Sequence, residues 1–280
     1  MTRTLLAVDL SNHVYKAAAA HPMLTSRRIF TGGLYGFFTT FAKIVRETRA
    51  THVAFCQDVK PYKRSETYPE YKQLSRKKNR DEDLLRLYKQ SMELILEVMA
   101  ACGLQPWGIP GFEADDLIGH CVMKYRHRFD RIYAATNDSD PFQLLWCDNF
   151  YLYRKELKDV VTGDKLVDPF GRPITPDQYM LATALMGTHN DIDGIPRVGA
   201  GTAFKALHDP ALMRKLRDGH SDLIERNLRL IKLPHEAFPR EASLPTHQSF
   251  NPRTLYRALG KYDIEVTGAV ERAFQELFGR

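Results

Sequence analysis

Apolar positions along the chain fall into two rhythms. Short apolar runs that meet an acid recur at residues 5–10, which contain Asp9, at 52–57, followed by Asp58, and at 131–136, followed by Asp138 and Asp140. Each reads as a buried strand, and residues 150–153 read as a fourth. Between them lie longer stretches with apolar residues three and four apart. Residues 31–49 carry Leu34, Phe37, Phe38, Phe41, Ile44 and Val45; residues 83–102 carry Leu84, Leu87, Tyr88, Met92, Ile95, Val98, Met99 and Cys102, with Gly103 as the stop. Both are helical patterns, and residues 113–126 form a third. Strands alternating with helices predict an α/β domain with a mainly parallel central sheet flanked by helices. After about residue 175 the strand rhythm fades. Residues 176–280 read as helical, with glycine- and proline-rich breaks at 194–201 and 234–252, so the expected division is 1–175 and 176–280.

In a parallel sheet, the site lies beyond the carboxyl ends of the strands. Asp9, Asp58, Asp138 and Asp140 stand at such ends, and Glu113, Asp115 and Asp116 open a helix at the same edge. Any one of these acids could cap a helix or turn. So many carboxylates at one edge repel, and a divalent ion is the simplest counter-charge. Oxygen donors with no clustered His or Cys favour Mg²⁺ or Mn²⁺ over zinc. The four cysteines are scattered and form no C-x-x-C pair, which suits reduced core thiols.

Composition narrows the partners. With 280 residues, 44% hydrophobic and 26% charged, the chain is an ordinary globular one and not disordered. No run approaches the ~20 apolar residues of a membrane span, and the N-terminal run is too short for a signal peptide; a cytoplasmic protein with no membrane partner is expected. Lys60, Lys63, Arg64, Lys72, Arg76, Lys77, Lys78 and Arg80 face only Glu66 and Glu70 across residues 60–80, and their balance of +6 equals the net charge of the whole chain. A basic segment beside an acidic pocket fits metal-dependent phosphodiester chemistry: ions against the scissile phosphate, cations against the flanking backbone. Tyr62, Tyr68 and Tyr71, interleaved with those cations, offer faces for unpaired bases. The stretch from Gly194 to Ala203 lacks the Gly-Lys-[Ser/Thr] of a Walker A loop, but its two glycines could open a helix onto a phosphate, or merely punctuate a helical turn.

At these residues the chain resembles the structure-specific 5′-nucleases, or flap endonucleases, in particular the phage 5′–3′ exonucleases and the 5′-nuclease domain of bacterial DNA polymerase I. Gly111-Phe-Glu-Ala-Asp-Asp116 is similar to the family's acid motif. Thr136-Asn-Asp-Ser-Asp140 with Gln143-Leu144 is similar to its Thr-Gly-Asp-Lys-Asp…Gln-Leu motif. Ala184-Leu-Met-Gly187 and Gly194-Ile-Pro…Gly199…Thr202-Ala203 resemble its helix–three-turn–helix, about 181–208. Tyr68-Pro-Glu-Tyr-Lys72 resembles the start of its helical arch, about 60–82, and Thr31-Gly-Gly-Leu-Tyr-Gly36 its first helix. The resemblance implies a PIN-like nuclease core and two bound ions, Mg²⁺ or Mn²⁺. Asp9, Asp58, Glu113, Asp115 and Asp116 would build the first metal site, with Asp138, Asp140 and Asp191 at the second. It implies catalytic roles for Lys72, Arg76, Asp115 and Asp138. DNA contacts would come from Lys63, Arg64, Tyr71, Lys72, Arg76, Arg80, Gly199, Gly201, Thr202 and Lys205, with a monovalent cation such as K⁺ at the turn.

Three departures stand out. Thr188-His-Asn-Asp191 replaces the family's Asp-x-x-Asp; Ser139 replaces its lysine; and either Arg76 or Arg80 could be the arch arginine. The expected function is a free-standing, monomeric, phage-type nuclease of replication or repair. It would hydrolyse flapped, nicked or RNA-primed DNA by a two-metal mechanism. The alternatives are a DNA-binding relative with a weakened second metal site, which Thr188 raises, and a small-molecule phosphohydrolase. Asp9-Leu-Ser11 lacks the Asp-x-Asp that an aspartyl-phosphate enzyme of the latter kind would need.

Overall fold

A computed structural model describes residues 2–73, 81–154, 159–245 and 252–278. Its centre is a five-stranded sheet in the order β4-β1-β5-β6-β7, formed by β1 (Thr4–Asp9), β4 (His52–Cys56), β5 (Arg131–Ala135), β6 (Phe150–Arg154) and β7 (Asp159–Val161). The first four strands are parallel. The edge strand β7 runs antiparallel to β6 and lies outside the four expected strands. The two remaining strands, β2 (Thr25–Ser26) and β3 (Ile29–Phe30), form a separate small hairpin.

Strand alternation divides the apolar side chains between two cores. Leu5, Ala7, Ala54, Cys56, Ile132, Ala134, Phe150 and Leu152 face one core; Leu6, Val8, Val53, Phe55, Tyr133, Ala135 and Tyr153 face the other. On the second face lie α1 (Leu10–Ala20), α2 (Gly32–Thr48) and α4 (Glu82–Ala101), where Phe37, Phe38 and Phe41 pack against Phe55 and Phe274. On the first face lie α5 (Ala114–Tyr125), α6 (Pro176–Met186), α7 (Ala200–Ala206), α8 (Pro210–Arg217) and α9 (Ser221–Ile231).

Local chemistry sets the helix starts. Asp9 caps α1 by accepting from Asn12 N, and Asp81 caps α4 by accepting from Leu84 N. Glu113 with Asp116, and Thr175 with Gln178, form reciprocal capping boxes for α5 and α6. Gly103, just beyond α4, takes φ 72, where a side chain would be strained.

Two expectations change. The chain from 176 onward is not one helical unit: α10 (Pro252–Gly260) and α11 (Gly268–Phe278) return to pack on α4 and α2, on the face opposite α6–α9. Nor do the tyrosines of the expected arch offer open faces to unpaired bases. Tyr62, Arg64, Tyr68 and Tyr71 are all buried, around the short helix α3 (Arg64–Thr67). No described helix is long and apolar enough to cross a membrane.

Candidate metal centre and nucleic-acid interface

Parallel pairing aligns the carboxyl ends of the central strands. Asp9 ends β1 opposite Cys56, two residues before Asp58, while β5 ends at Ala135, just before Asp138 and Asp140. Asp115 arrives from the first turn of α5. Carboxylate oxygens of Asp115, Asp138 and Asp140 all lie within 4.8 Å of one another. The loop after β5 is fixed by its own polar groups. Thr136 Oγ1 donates to Asp9 Oδ2 (3.1 Å) and accepts from Asp138 N (3.1 Å), and Asp140 N donates to Asp138 Oδ1 (3.1 Å). Asp58 Oδ1 accepts from Ala114 N at 2.8 Å, holding the start of α5 against the end of β4.

The electrostatics of this edge are those of an acid cluster that nearby cations compensate only in part. Burial, then Asp58 and Asp138, pushes Asp9 up to about 7, against the pull of its bonds from Asn12 and Thr136. Burial, then Asp138, Asp9 and Asp140, holds Asp115 well above the ordinary carboxylate range. Burial and Asp138 push Asp140 up to about 6. Asp115 Oδ1 is buried and has no hydrogen-bond partner among the described residues. Clustered hard oxygen donors, one of them orphaned, fit a hard divalent cation.

Asp116 and Glu113 belong to a different device. Asp116 is 0% exposed and takes a bidentate pair from Arg64, at 2.6 and 2.8 Å. It also accepts from the backbone of His235 and Glu113. Every lone-pair direction is thus engaged, so Asp116 is a buried ion-pair partner and not a metal ligand. Arg64 is corrected with it. The guanidinium is buried, bonded also to Glu113 Oε2 (3.0 Å), Leu230 O (2.7 Å) and Lys232 O (3.0 Å), and is not offered to DNA. Glu113 is caged by Arg64, Tyr71 Oη (2.8 Å) and the Lys72 ammonium. In this cage it faces cations, and it is no member of the three-aspartate group. Tyr71 is buried with its hydroxyl spent on Glu113, so it presents no stacking face to a base. A surplus of three carboxylates within four residues was the sequence signal that a buried cation must be near.

Lys72 remains at the opening. Its backbone takes φ 55, and its N–H donates to Asn190 O at 2.9 Å. Burial opposes its charge, but Glu113 at its tip raises its pKa well above the ordinary lysine value, so it stays an ammonium. Its field also pulls Asp115 and Asp140 down. The loop after α6 reaches the acids through residues that the motif reading passed over. Asn190 Nδ2 lies 3.4 Å from Asp140 Oδ2, and His189 is an electrostatic neighbour of Asp140. Thr188 Oγ1 accepts from Asn190 N (3.1 Å). Asp191, at φ 62, is not in the three-aspartate group. Lys63 pairs with Glu66 at 2.9 Å. Gly199, Gly201 and Lys205 are exposed at α7, with Thr202 half-buried beside them. Arg76 and Arg80 lie outside the described residues.

An α/β sheet with carboxylates gathered at its strand ends and a lysine at the rim defines a site able to hold a divalent ion. The chain belongs to the 5′–3′ exonuclease family: the model of that family's N-terminal, resolvase-like domain matches residues 4–171. The chain is 32% identical over 223 residues to DNA polymerase I of Mycobacterium tuberculosis, covering 77% of this chain and 24% of that one. It thus spans about a quarter of the length of those polymerases. A 5′-3′ exonuclease of Aquifex aeolicus is 27% identical over 208 residues, 73% of this chain and 69% of that protein. Among solved structures, T5 5′-exonuclease with bound zinc superposes with a TM-score of 0.70 at 18% identity, covering 93% of this chain and 98% of that one. A flap endonuclease-1 from Methanococcus jannaschii superposes with a TM-score of 0.57 at 14% identity, covering 99% and 92%. Both likenesses are of fold, the PIN-like 5′-nuclease fold.

Proposed function

We propose that this chain is a structure-specific 5′-nuclease, a 5′–3′ exonuclease and flap endonuclease acting on flapped, nicked or RNA-primed DNA in replication or repair. The observation that carries the reading is the meeting of Asp115, Asp138 and Asp140 within one ion's reach, with Asp115 Oδ1 orphaned. Those three would hold a Mg²⁺ or Mn²⁺ ion, with Asp9 and Asp58 flanking it. A bound ion supplies positive charge against the phosphate and a water of lowered pKa. Lys72 would exchange Glu113 for a phosphate oxygen and neutralise charge developing there. Gly199, Gly201, Thr202 and Lys205 would hold the duplex backbone, with K⁺ at that turn and Lys63 on the flanking strand. A monomer working in the host cytoplasm, as for a phage enzyme, fits this reading. The catalytic core would be 1–175, with α10 and α11 packed on it and the DNA-binding turn at about 181–208.

The test is cleavage of 5′-labelled flap, nicked and single-stranded DNA with Mg²⁺ and with excess chelator. Cleavage of the flap only with the ion is expected; full activity in chelator would refute the reading. A second reading, a DNA-binding relative with a weakened second metal site, is favoured by Thr188, whose hydroxyl is engaged with Asn190 N. No cleavage at any Mg²⁺ concentration, with flap binding intact, would decide for it.

A further inference from the structure

Phe170 stands 60% exposed, and Val167 on the same turn 51%. The turn that presents them is rigidly built. Asp168, only 3% exposed, accepts from Phe170 N (2.8 Å), Arg172 N (2.9 Å) and Arg172 Nε (2.7 Å). Asp168 N donates to Arg172 O at 2.8 Å, Gly171 takes φ 78, and Val167 pairs with Pro173 across the turn. The ring is aimed at the first turn of α7: a Cβ added at Gly201 would come within 3.9 Å of its tip. The Arg172 guanidinium covers one side of the ring, 5.2 Å from its centroid, and donates to Phe204 O at 3.4 Å.

Two cations stand near this ring. Arg172 lies over it, and Lys205, one helical turn beyond Gly201, is exposed on α7. Arg172 pairs with Asp168, the one acid in the turn, whose side chain is buried. An apolar face bordered by cations fits a polyanion with an apolar interior edge, in which sugars and base edges lie between two rows of phosphates. Exposing an aromatic ring on a fixed turn is unfavourable until a partner covers it.

We infer that Phe170, supported by Val167, is a duplex-contact prong that packs against sugars of the double-stranded arm held at α7. The contact carries no base specificity, because sugar faces are the same in every sequence. The inference rests on the proposed reading as a DNA nuclease. It gives the 167–173 turn, outside the glycine-rich segment, a share in selecting substrates with a duplex arm.

The experiment compares wild type, Phe170→Ala and Phe170→Leu by fluorescence anisotropy. Binding is measured in chelator on a flap with a duplex arm and on a single strand of equal length. Phe170→Ala should weaken the duplex-bearing substrate about tenfold, the scale of one aromatic face returned to water. Single-strand affinity and melting temperature should not move, and Phe170→Leu should stay within about threefold of wild type. Unchanged duplex affinity in Phe170→Ala, while wild type still cleaves flaps, would overturn this inference alone and leave the ring to a protein partner. A wild type that neither binds nor cleaves flap DNA would overturn the nuclease reading and this inference together.

Discussion

Replacing Asp9 by Asn should make the ion-free protein more stable and the ion-loaded protein less so. Asp9 is buried, and its carboxyl is pushed from 3.8 up to about 7 by burial, then by Asp58 and Asp138. In the unfolded chain it ionises near the ordinary value. Between the two, the folded state holds a proton that the unfolded state has lost, so stability falls as pH rises from roughly 4 to 7. At about 1.4 kcal/mol per pH unit, the interval from 3.8 to about 7 is worth about 4 kcal/mol once both states are ionised. Asn keeps an oxygen for the cap on Asn12 N, cannot ionise, and escapes that loss. In chelator near pH 8, Asp9→Asn should therefore melt about 8 °C above wild type, taking roughly 2 °C per kcal/mol for a chain of this length. The difference should shrink to near zero at about pH 4. Millimolar Mg²⁺ should reverse the order, since an ion that binds only the folded acid cluster stabilises wild type more. Scanning calorimetry across this pH range, with and without the ion, is the assay. Equal melting temperatures at pH 8 in chelator, or a gap that does not change with pH, would refute the electrostatic account.

Asp115→Asn and Asp138→Asn should each abolish flap cleavage while leaving gel-shift affinity within about tenfold, because removing negative charge does not weaken attraction to phosphate; loss of binding would make these acids structural. Lys72→Ala should lower the single-turnover rate about 100-fold with much less effect on binding, the scale of one positioned charge at a transition state, and an unchanged rate would exclude it from the chemistry. Arg64→Met should destabilise the protein by about 3–5 kcal/mol in urea titration, because Asp116 stays buried without its counter-charge; a loss below about 1 kcal/mol would contradict the ion-pair network. Asn190→Asp should lower the Mg²⁺ concentration at half-maximal rate, and by more than Thr188→Asp does, since Asn190 lies beside Asp140 and Thr188 does not reach it. Identical midpoints in all three proteins would detach this loop from the metal site.

The sheet was legible because its strands are buried on both faces, so continuous apolar runs and terminal acids survive in the sequence. The helix α1 was not: it begins at the residue after Asp9, and the strand's apolar run continues into Leu10 without a break. At the site, Asp115, Asp138 and Asp140 could be named from their positions at strand and helix ends. Asp116 differs from Asp115 only in direction. Neighbours on a helix point about 100° apart, and that rotation sends one carboxylate to the open edge and the other onto Arg64. Arg64 itself looked like one cation of a basic run. Its partners Leu230 O and Lys232 O are backbone atoms more than 160 residues away, which no local pattern encodes. Asn190 was hidden for a related reason: the motif fixed attention on Thr188 and Asp191, while the turn directs Asn190, one of the two residues between them, at Asp140.

The Arg64 guanidinium ties together three stretches of chain, α3, the start of α5 and the end of α9. The family match ends at residue 171, which suggests a place to cut. A fragment ending there would strip Arg64 of two backbone acceptors and remove the His235 N–H from Asp116. It would also withdraw Phe274 from Phe38 and Phe41 on the opposite face. Bonds to charged groups are worth about 1.5–3 kcal/mol each, and an uncovered Phe costs a similar amount. Together those losses rival the whole stability of an ordinary domain. The sheet core is therefore not a detachable module: attempts to trim, swap or circularly permute it should keep residues 230–278 with it.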